Sequence, residues 1–236
     1  MVHDFEGWGV LYMVWGDSHD QMLQRSIDSL KKYHPDLPVH VNRIQCEKDV
    51  AGSHAMLLEK SAMFRLSPFQ NTLFLDADTV VMGRLDHAFA MATRFGLACC
   101  ICECPWARRY TGLKNEHDLV EYNTGVLFFT RQAEPLFSAW EHHARSVDSS
   151  IYHLVDGQLR VMQHNDQASF AKAVEMTGFN PYVLPLNWNY RPRWQRSFFG
   201  PIKIWHDGDP PLKQIYEICE YYANEEPIVG YFSLGA

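Results

Sequence analysis

The stretch Leu73-Phe74-Leu75-Asp76-Ala77-Asp78-Thr79-Val80-Val81 carries two carboxylates, one residue apart, at the end of a short apolar run. Such a run is typical of a buried β-strand, and ligands of open α/β sheets bind at the carboxyl ends of the strands. In extended backbone, residues i and i+2 point to the same side, so Asp76 and Asp78 can reach one point while Ala77 faces away. Two adjacent carboxylates repel each other unless a cation or a proton lies between them. The stretch therefore predicts either a divalent metal site or an acid/base pair.

A second Asp-x-Asp, Asp207-Gly208-Asp209, is also present in the chain. Short motifs of this kind recur by chance. The first one differs in its surroundings, since a strand-like run precedes it and the apolar Thr79 to Met82 follow it. We therefore expect the metal site at Asp76 and Asp78.

The bulk composition limits the class of protein. A length of 236 residues is enough for one α/β domain with one hydrophobic core. The formal net charge of -7 argues against a protein-wide surface for nucleic acid, because phosphate backbones are bound by clustered Lys and Arg. No apolar run approaches the roughly 20 residues that span a bilayer, and Met1 to Glu6 lack the regions of a signal peptide. We expect a cytoplasmic protein without a transmembrane segment.

The cysteines offer a different metal site. Cys99 and Cys102 have C-x-x-C spacing, but no second pair lies at the spacing of a zinc site. Four of the six cysteines fall between Leu97 and Cys104, in a stretch typical of a strand, and the others are Cys46 and Cys219. We expect reduced, partly buried thiols there, with a metal site as the alternative.

Hydrophobic periodicity predicts a βαβ opening followed by further strands and helices. The first strand is expected at 9–15, with a turn and helix cap at 16–18 and a second strand at 39–41. The predicted helices carry their apolar faces on Leu23, Ile27 and Leu30; on Leu58, Ala62, Leu66 and Phe69; on Phe137, Trp140 and Ala144; and on Phe170, Ala173 and Val174. Strands are predicted at 71–75, 97–104 and 122–129, and a long loop or lid at 103–121. Asn165 or Asp166 is expected to cap the last of these helices.

In this order, the motifs resemble those of nucleotide-sugar glycosyltransferases with the GT-A fold, most closely glycosyltransferase family 8 of the glycogenin type. The matching stretches are Gly9 to Val41, Lys60 to Leu66, Leu73 to Thr79, Tyr122 to Val126, Asp166-Gln167 and Ile202 to Gly208. The resemblance implies an α/β fold with a mostly parallel central sheet flanked by helices. It also implies a single catalytic domain over 1–236, in which 1–85 bind nucleotide and metal and 86–236 bind the sugar and the acceptor.

The resemblance assigns a metal site to Asp76, Asp78 and His206. The ion expected there is Mn²⁺ or Mg²⁺, and a set of two carboxylates and an imidazole suits Mn²⁺ somewhat better. A divalent ion that bridges the oxygens of a diphosphate can stabilise it as a leaving group.

The same resemblance assigns the remaining site residues. Contacts to the donor, a nucleoside diphosphate sugar, fall to Asp17, Lys60, Asp76, Asn123, Gly125 and Lys213. The catalytic residues are Asp166, which would orient the donor sugar, and Gln167, which would lie near the anomeric carbon.

The implied reaction transfers a sugar from a nucleoside diphosphate sugar, expected to be a UDP-sugar, to a carbohydrate or glycoconjugate acceptor. The configuration at the anomeric carbon is retained. Retention can follow a front-face ion-pair route or a covalent intermediate. An amide such as Gln167 is a poor nucleophile, which favours the front-face route. The aromatic and basic stretch Leu186 to Trp194 is a candidate acceptor platform.

Three further classes of protein fit parts of the pattern. In a haloacid-dehalogenase-like phosphatase, Asp76 would be the nucleophile and Asp78 the acid/base. That motif belongs on the first strand, and the later Gly-Asp-x-x-x-Asp it requires is absent after Gly208-Asp209. The second class is a nucleotidyltransferase of similar fold, and the third is a non-catalytic protein that binds a nucleotide sugar.

Overall fold

The computed structural model describes residues 7–17, 19–44, 53–224 and 230–234, in which strands and helices alternate. In chain order the elements are β1 (Trp8–Trp15), α1 (Asp20–Tyr33), β2 (Val39–Ile44), α2 (Met63–Leu66), β3 (Asn71–Leu75), β4 (Thr79–Val81), α3 (Asp86–Phe95), β5 (Leu97–Trp106), β6 (Val120–Thr130), α4 (Glu134–His143), β7 (Ile151–Val155), β8 (Gln158–Met162), α5 (Asp166–Thr177), β9 (Tyr182–Leu184), β10 (Ser197–Phe199), β11 (Ile204–His206), α6 (Lys213–Asn224) and β12 (Tyr231–Ser233).

The central sheet has six strands in the order β2-β1-β3-β6-β5-β9. β1 runs parallel to β2 and β3, and β5 runs parallel to β9, whereas β6 is antiparallel to both β3 and β5. The predicted α/β fold with a mostly parallel sheet is confirmed, with β6 as the strand of opposite direction. Because β3 is internal, its three apolar residues Leu73, Phe74 and Leu75 are fully buried.

Two apolar layers cover the sheet. On one side, α1 and α3 pack Leu23, Leu30 and Phe89 against it, and on the other side α4 and α5 contribute residues such as Trp140 and Phe170. Each such side chain removed from water stabilises the fold by about 1.5–3 kcal/mol before the loss of chain entropy is counted. The sheet is thus a rigid base from which the ends of β3 and β6 present polar residues.

A small two-stranded sheet brings the late part of the chain to the end of β3. β4 pairs antiparallel with β11, so that His206 lies opposite Thr79. Asp76 and Asp78 occupy the short connection between β3 and β4. Strand pairing therefore places an imidazole beside the two carboxylates.

The structure differs from the sequence prediction in three segments. The predicted helix around Leu58 and Ala62 is a 3-10 helix (Ser53–Ala62) that continues into the short α2. The predicted loop at 103–121 is partly regular, because β5 extends to Trp106 and β6 begins at Val120. The β7–β8 hairpin was not predicted; it turns at Asp156 and Gly157, both with positive φ.

The structure shows which residues cap the N-termini of α5 and α1. Asn165, not Asp166, is the N-cap of α5, because its side chain accepts a hydrogen bond from the backbone N–H of Gln167. The N-cap of α1 is His19, which makes no capping bond through its side chain, and Ser18 lies outside the described residues. Among the described helices, none combines the length and the apolar character needed to cross a membrane.

Candidate active site

Asp76, Asp78 and His206 form one compact group at the end of β3. A ligand atom from each of the three lies within 4.8 Å of the others, and no other such group of metal-ligand side chains occurs among the described residues. His206 Nε2 is 3.3 Å from Asp78 Oδ1 and 3.7 Å from Asp76 Oδ2. Two carboxylates and an imidazole are a ligand set for a divalent ion such as Mn²⁺.

The local backbone of the carboxylate pair is fixed by buried hydrogen bonds. The Thr79 hydroxyl donates to the carbonyl of Asp76, and it also meets the Ser26 hydroxyl at 2.9 Å. Ser26 in turn bonds Tyr12 on β1 at 2.9 Å. On the other side, the backbone N–H of Asp207 donates to the carbonyl of Asp78. The connection between β3 and β4 is therefore held from β1, α1 and β11 together.

Gly125 allows β6 to pass close to the metal-ligand group. Its carbonyl accepts the backbone N–H of Asp76 at 2.8 Å. A Cβ added at Gly125 would lie 2.6 Å from Asp76 Oδ2 and closer still to the His206 ring. Because any side chain here would fill the space between Asp76 and His206, the group requires glycine at this position.

Lys60 is a buried cation behind the carboxylates. Its side chain is 4% exposed, and Nζ lies 2.9 Å from Asp76 Oδ1 and 3.0 Å from Asp166 Oδ2. Burial favours the neutral amine, but the charges of Asp166 and Asp76 outweigh it and raise the pKa of Lys60 above its ordinary value. Lys60 therefore stays charged and joins the end of β3 to the start of α5.

Asp166 and Gln167 lie at the buried N-terminus of α5. Asp166 accepts a hydrogen bond from the Thr124 hydroxyl as well as the ion pair from Lys60. The Gln167 amide donates through Nε2 to Glu121. This bond fixes the orientation of the Gln167 amide at the start of α5.

Glu121 is a buried carboxylate that the sequence reasoning did not single out. It is fully buried on β6, accepts the Tyr110 hydroxyl at 2.8 Å, and forms an ion pair with Arg109. Burial raises the pKa of Glu121, while Arg109, Tyr110 and Gln167 oppose the shift. A single acid near the start of β6 was its only signal in the sequence. Through Glu121, the segment between β5 and β6 is joined to Gln167.

We expect Glu121→Gln to lower the free energy of unfolding by about 2–4 kcal/mol, because the fully buried carboxylate is lost from its network and Arg109, 26% exposed, loses its charged partner. Urea denaturation measures the loss. The matched control is Asp118→Asn, which removes the partner of the neighbouring Arg108 in an ion pair whose side chains are 60% and 57% exposed. That change should cost less than about 1 kcal/mol. Equal losses in the two variants would contradict the importance of the buried network.

An open cleft of about 340 Å³ lies over the metal-ligand group, within the usual size of a small-ligand site. Its walls come from Met13 to Trp15, the start of α1, the stretch 191–194 and the stretch 206–208. Arg191, Arg193 and Trp194 belong to the predicted aromatic and basic platform, and they supply the cleft with two cations. Arg193 pairs with Asp207 at 2.7 Å and Arg191 with Glu103 at 3.3 Å.

Known proteins resemble this chain in structure but not in sequence. No family model matches it, and no curated protein matches it. Mouse xyloside xylosyltransferase 1 in its apo form superimposes with a TM-score of 0.55 at 15% identity, over 86% of this chain and 99% of the mouse chain. The galactosyltransferase LgtC, in complex with donor and acceptor sugar analogues, gives 0.50 at 13% identity, over 93% of this chain and 98% of its own. GlyE of Streptococcus pneumoniae, in its apo form, gives 0.54 at 14% identity, over 92% of this chain and 60% of its own.

The chain has the GT-A fold. The resemblance seen in the order of the sequence motifs is therefore confirmed at the level of the fold. Eight of the predicted site residues lie in one connected region of this GT-A protein. They are Lys60, Asp76, Asp78, Asn123, Gly125, Asp166, Gln167 and His206.

Two predicted residues lie apart from that region of the GT-A protein. The side chain of Asp17 is 91% exposed and pairs with Arg43 at 3.4 Å. The side chain of Lys213, at the start of α6, is 90% exposed and pairs with Glu217. Asp76, Asp78 and His206 line the cleft, as do Arg191 and Arg193, whereas Asp17, Lys213 and the five other predicted site residues do not. The contacts to the donor that were assigned to Asp17 and Lys213 stay predictions.

The cysteines, which the sequence offers as an alternative metal site, and the second Asp-x-Asp lie in other surroundings. Cys99, Cys100 and Cys102 are buried free thiols on β5, Cys104 is exposed, and burial raises the pKa of Cys102 to about 12. These thiols form no metal-ligand group within the described residues, and Cys46 lies outside them. In the second Asp-x-Asp, Asp207 is taken up by the ion pair with Arg193.

The residues present fit a divalent ion. Burial opposes ionisation of Asp78, but the adjacent His206 and the backbone N–H of Asp78 itself lower the pKa of that carboxyl well below its ordinary range. Asp78 is therefore an anion at neutral pH. The ionised Asp78, the nearby Asp76 and the space left by Gly125 make a small anionic site that opens into the cleft.

Proposed function

We propose that this protein is a metal-dependent glycosyltransferase that moves a sugar from a nucleoside diphosphate sugar, preferably a UDP-sugar, to a carbohydrate or glycoconjugate acceptor. The observation that supports it best is the Asp76, Asp78 and His206 group at the base of an open cleft in a GT-A fold. Asp76 and Asp78 come from the proposed nucleotide and metal part, 1–85, and His206 from the proposed sugar and acceptor part, 86–236. In this proposal the two parts act as one catalytic domain.

In this proposal Asp76, Asp78 and His206 would hold Mn²⁺ or Mg²⁺. The bound ion supplies positive charge that stabilises the departing diphosphate. Arg191 and Arg193 face the same cleft and add positive charge beside the carboxylates. A guanidinium can bind phosphate oxygens with two parallel hydrogen bonds, so these arginines are candidate contacts to the donor diphosphate in addition to their ion pairs with Glu103 and Asp207.

The buried groups behind the metal site suit the sugar end of the donor. Lys60 neutralises Asp76 and holds Asp166 in place, so that the Asp166 carboxylate can accept hydrogen bonds from sugar hydroxyls. Gln167 is fixed by Glu121 through Nε2, and in this proposal its carbonyl oxygen is the group that acts on the sugar. A neutral carbonyl oxygen can stabilise positive charge at the anomeric carbon without forming a lasting bond to it.

The proposed reaction proceeds with retention by a front-face route. The bond between the anomeric carbon and the diphosphate oxygen breaks, and its electron pair stays on the diphosphate. The acceptor hydroxyl then bonds the anomeric carbon from the same face, and its proton passes to the departing diphosphate oxygen. Gln167 stabilises the carbon between these two events. A trapped covalent adduct between the sugar and a side chain would overturn this route.

The proposal is tested by incubating the protein with a panel of UDP-sugars and GDP-sugars, with and without Mn²⁺, and measuring release of the nucleoside diphosphate. Slow hydrolysis of one sugar nucleotide that requires the metal is the expected result, since water replaces the unknown acceptor. Parallel reactions contain a phosphomonoester and a nucleoside triphosphate with a sugar phosphate. Phosphate release from the ester would indicate a phosphatase, and pyrophosphate release would indicate a nucleotidyltransferase. Binding of a sugar nucleotide without turnover would indicate a non-catalytic binder.

A further inference from the structure

We infer that Asn189 is a positioning residue that determines which nitrogen of His206 faces Asp76 and Asp78. The inference rests on the proposed metal site, and it concerns a residue whose contacts only the folded chain reveals. Asn189 contacts His206 but is not itself among the metal-ligand group. Its role is to hold the imidazole in one tautomer and one orientation.

A chain of three hydrogen bonds joins the backbone of β6 to His206. The backbone N–H of Gly125 lies 2.9 Å from Asn123 Oδ1, and Asn189 Nδ2 lies 2.9 Å from the same oxygen. Asn189 Oδ1 lies 2.8 Å from His206 Nδ1. All three side chains are almost fully buried, with 4%, 3% and 8% exposure for Asn123, Asn189 and His206.

The direction of every bond in this chain follows from the backbone group at its start. A backbone N–H can only donate, so the atom of Asn123 that faces Gly125 must be the carbonyl oxygen. That oxygen can only accept, so Asn189 must present its NH₂ group to Asn123 and its own oxygen to His206. His206 must then carry a hydrogen on Nδ1. Reversing the Asn189 amide would set two oxygens against each other in a buried site.

The consequence for the metal site lies on the other side of the imidazole ring. With a hydrogen held on Nδ1, the nitrogen that faces Asp78 at 3.3 Å and Asp76 at 3.7 Å is Nε2, which can carry a proton that Asp78 accepts or, after losing it, offer a lone pair to a metal ion. A lone pair aimed at two carboxylates is unfavourable unless a cation lies among them. The amide relay therefore prepares Nε2 as a metal ligand. Ligand histidines commonly have their other nitrogen held in this way, and loss of the partner typically weakens metal binding about 10–100-fold.

The backbone around Asn189 is anchored independently of its side chain. The N–H of Tyr190 donates to Ile204, and the N–H of His206 donates to Tyr190, both at 2.8 Å. The N–H of Lys203 likewise donates to Asn187 at 2.8 Å. Replacing the Asn189 side chain should therefore leave residues 187–190 beside β11, and a change in metal binding can be assigned to the lost amide.

The test compares Mn²⁺ affinity, measured by the loss of the free Mn²⁺ electron paramagnetic resonance signal, in the wild type and three variants. Asn189→Leu removes both ends of the relay and should weaken Mn²⁺ binding about 10–100-fold. Asn189→Asp keeps an acceptor for His206 Nδ1 but sets an oxygen against Asn123 Oδ1, so it should recover only part of that loss. Asn187→Leu is the matched control, because Asn187 bonds the carbonyl of Pro201 at 2.7 Å and does not touch His206. It should bind Mn²⁺ as the wild type does.

A second measurement reads the tautomer directly and needs no metal. Long-range proton–nitrogen NMR spectra of ¹⁵N-histidine-labelled protein should show hydrogen on Nδ1 of His206 in the wild type, and a changed pattern in Asn189→Leu. Hydrogen on Nε2 alone in the wild type, or wild-type Mn²⁺ affinity in Asn189→Leu, would overturn the inference. If the wild type binds Mn²⁺ but hydrolyses no sugar nucleotide, the proposed function fails, and the role of Asn189 is still decided by the variant affinities.

Discussion

Replacing Asp78 by asparagine is expected to reduce metal-dependent hydrolysis of the sugar nucleotide by at least about 100-fold, because changes one step removed from a metal already cost 10–100-fold. Asp78 is ionised, lies within 3.3 Å of His206 and opens into the cleft. The neutral amide keeps the shape of the side chain but removes one of the two charges that attract the ion. Steady-state rates over a Mn²⁺ titration measure the loss, and excess Mn²⁺ should restore part of the rate.

The matched control uses the second Asp-x-Asp of the chain. Asp209→Asn makes the same chemical change at an exposed carboxylate outside the metal-ligand group. It should leave the rate and the Mn²⁺ dependence unchanged. The side chain of Asp78 is 39% exposed, so Asp78→Asn should alter the free energy of unfolding by less than about 1 kcal/mol. An active Asp78→Asn variant with wild-type metal dependence would remove the basis of the proposed function.

Replacing Lys60 by methionine should have the largest effect on stability. We expect the free energy of unfolding to fall by about 3–5 kcal/mol, because Asp76 and Asp166 would lose the cation that lies 2.9 Å and 3.0 Å from them. In a chain of this size that corresponds to a drop in Tm of roughly 10 °C. Mn²⁺ should raise the Tm of the variant more than that of the wild type, since a divalent ion at Asp76 supplies part of the missing positive charge. Thermal unfolding with and without Mn²⁺ measures both effects.

Lys172→Met is the control for the Lys60 substitution. Lys172 pairs with a single carboxylate, Glu116 at 2.7 Å, and the two side chains are 19% and 37% exposed, against 4% for Lys60. Its loss should cost less than about 1 kcal/mol. If both lysines proved equally dispensable, the buried position of Lys60 would have no energetic importance.

Sequence alone predicted those parts of the molecule that depend on local pattern. Continuous apolar runs located β1 and β3, and hydrophobic spacing of period 3.6 located α1, α4 and α5, because burial of apolar side chains follows directly from such patterns. The metal site at Asp76 and Asp78 was predicted because the two residues follow an apolar run typical of a buried strand. The order of the motifs along the chain led to the GT-A fold, although no family model matches the sequence.

Other segments had no such local signal. The 3-10 helix at Ser53–Ala62 and the β7–β8 hairpin depend on packing and on turn geometry, which periodicity does not report. The extension of β5 to Trp106 depends on pairing with β6. A stretch rich in polar residues looks like a loop until a partner strand satisfies its backbone.

Three features of the site show which conclusions the sequence supports and which require the fold. They are the carboxylate pair, the requirement for glycine at position 125 and the burial of Lys60. Residue types and their order were enough to propose two metal-binding aspartates, an imidazole and a lysine, since those chemistries are properties of the side chains themselves. Only the tertiary structure decided that Glu121 holds Gln167, that Asn189 orients His206, and that Arg191 and Arg193 face the cleft while Lys213 does not. The physical reason is that hydrogen-bond direction, burial and distance arise between residues far apart in the chain, where sequence spacing carries no information about contact.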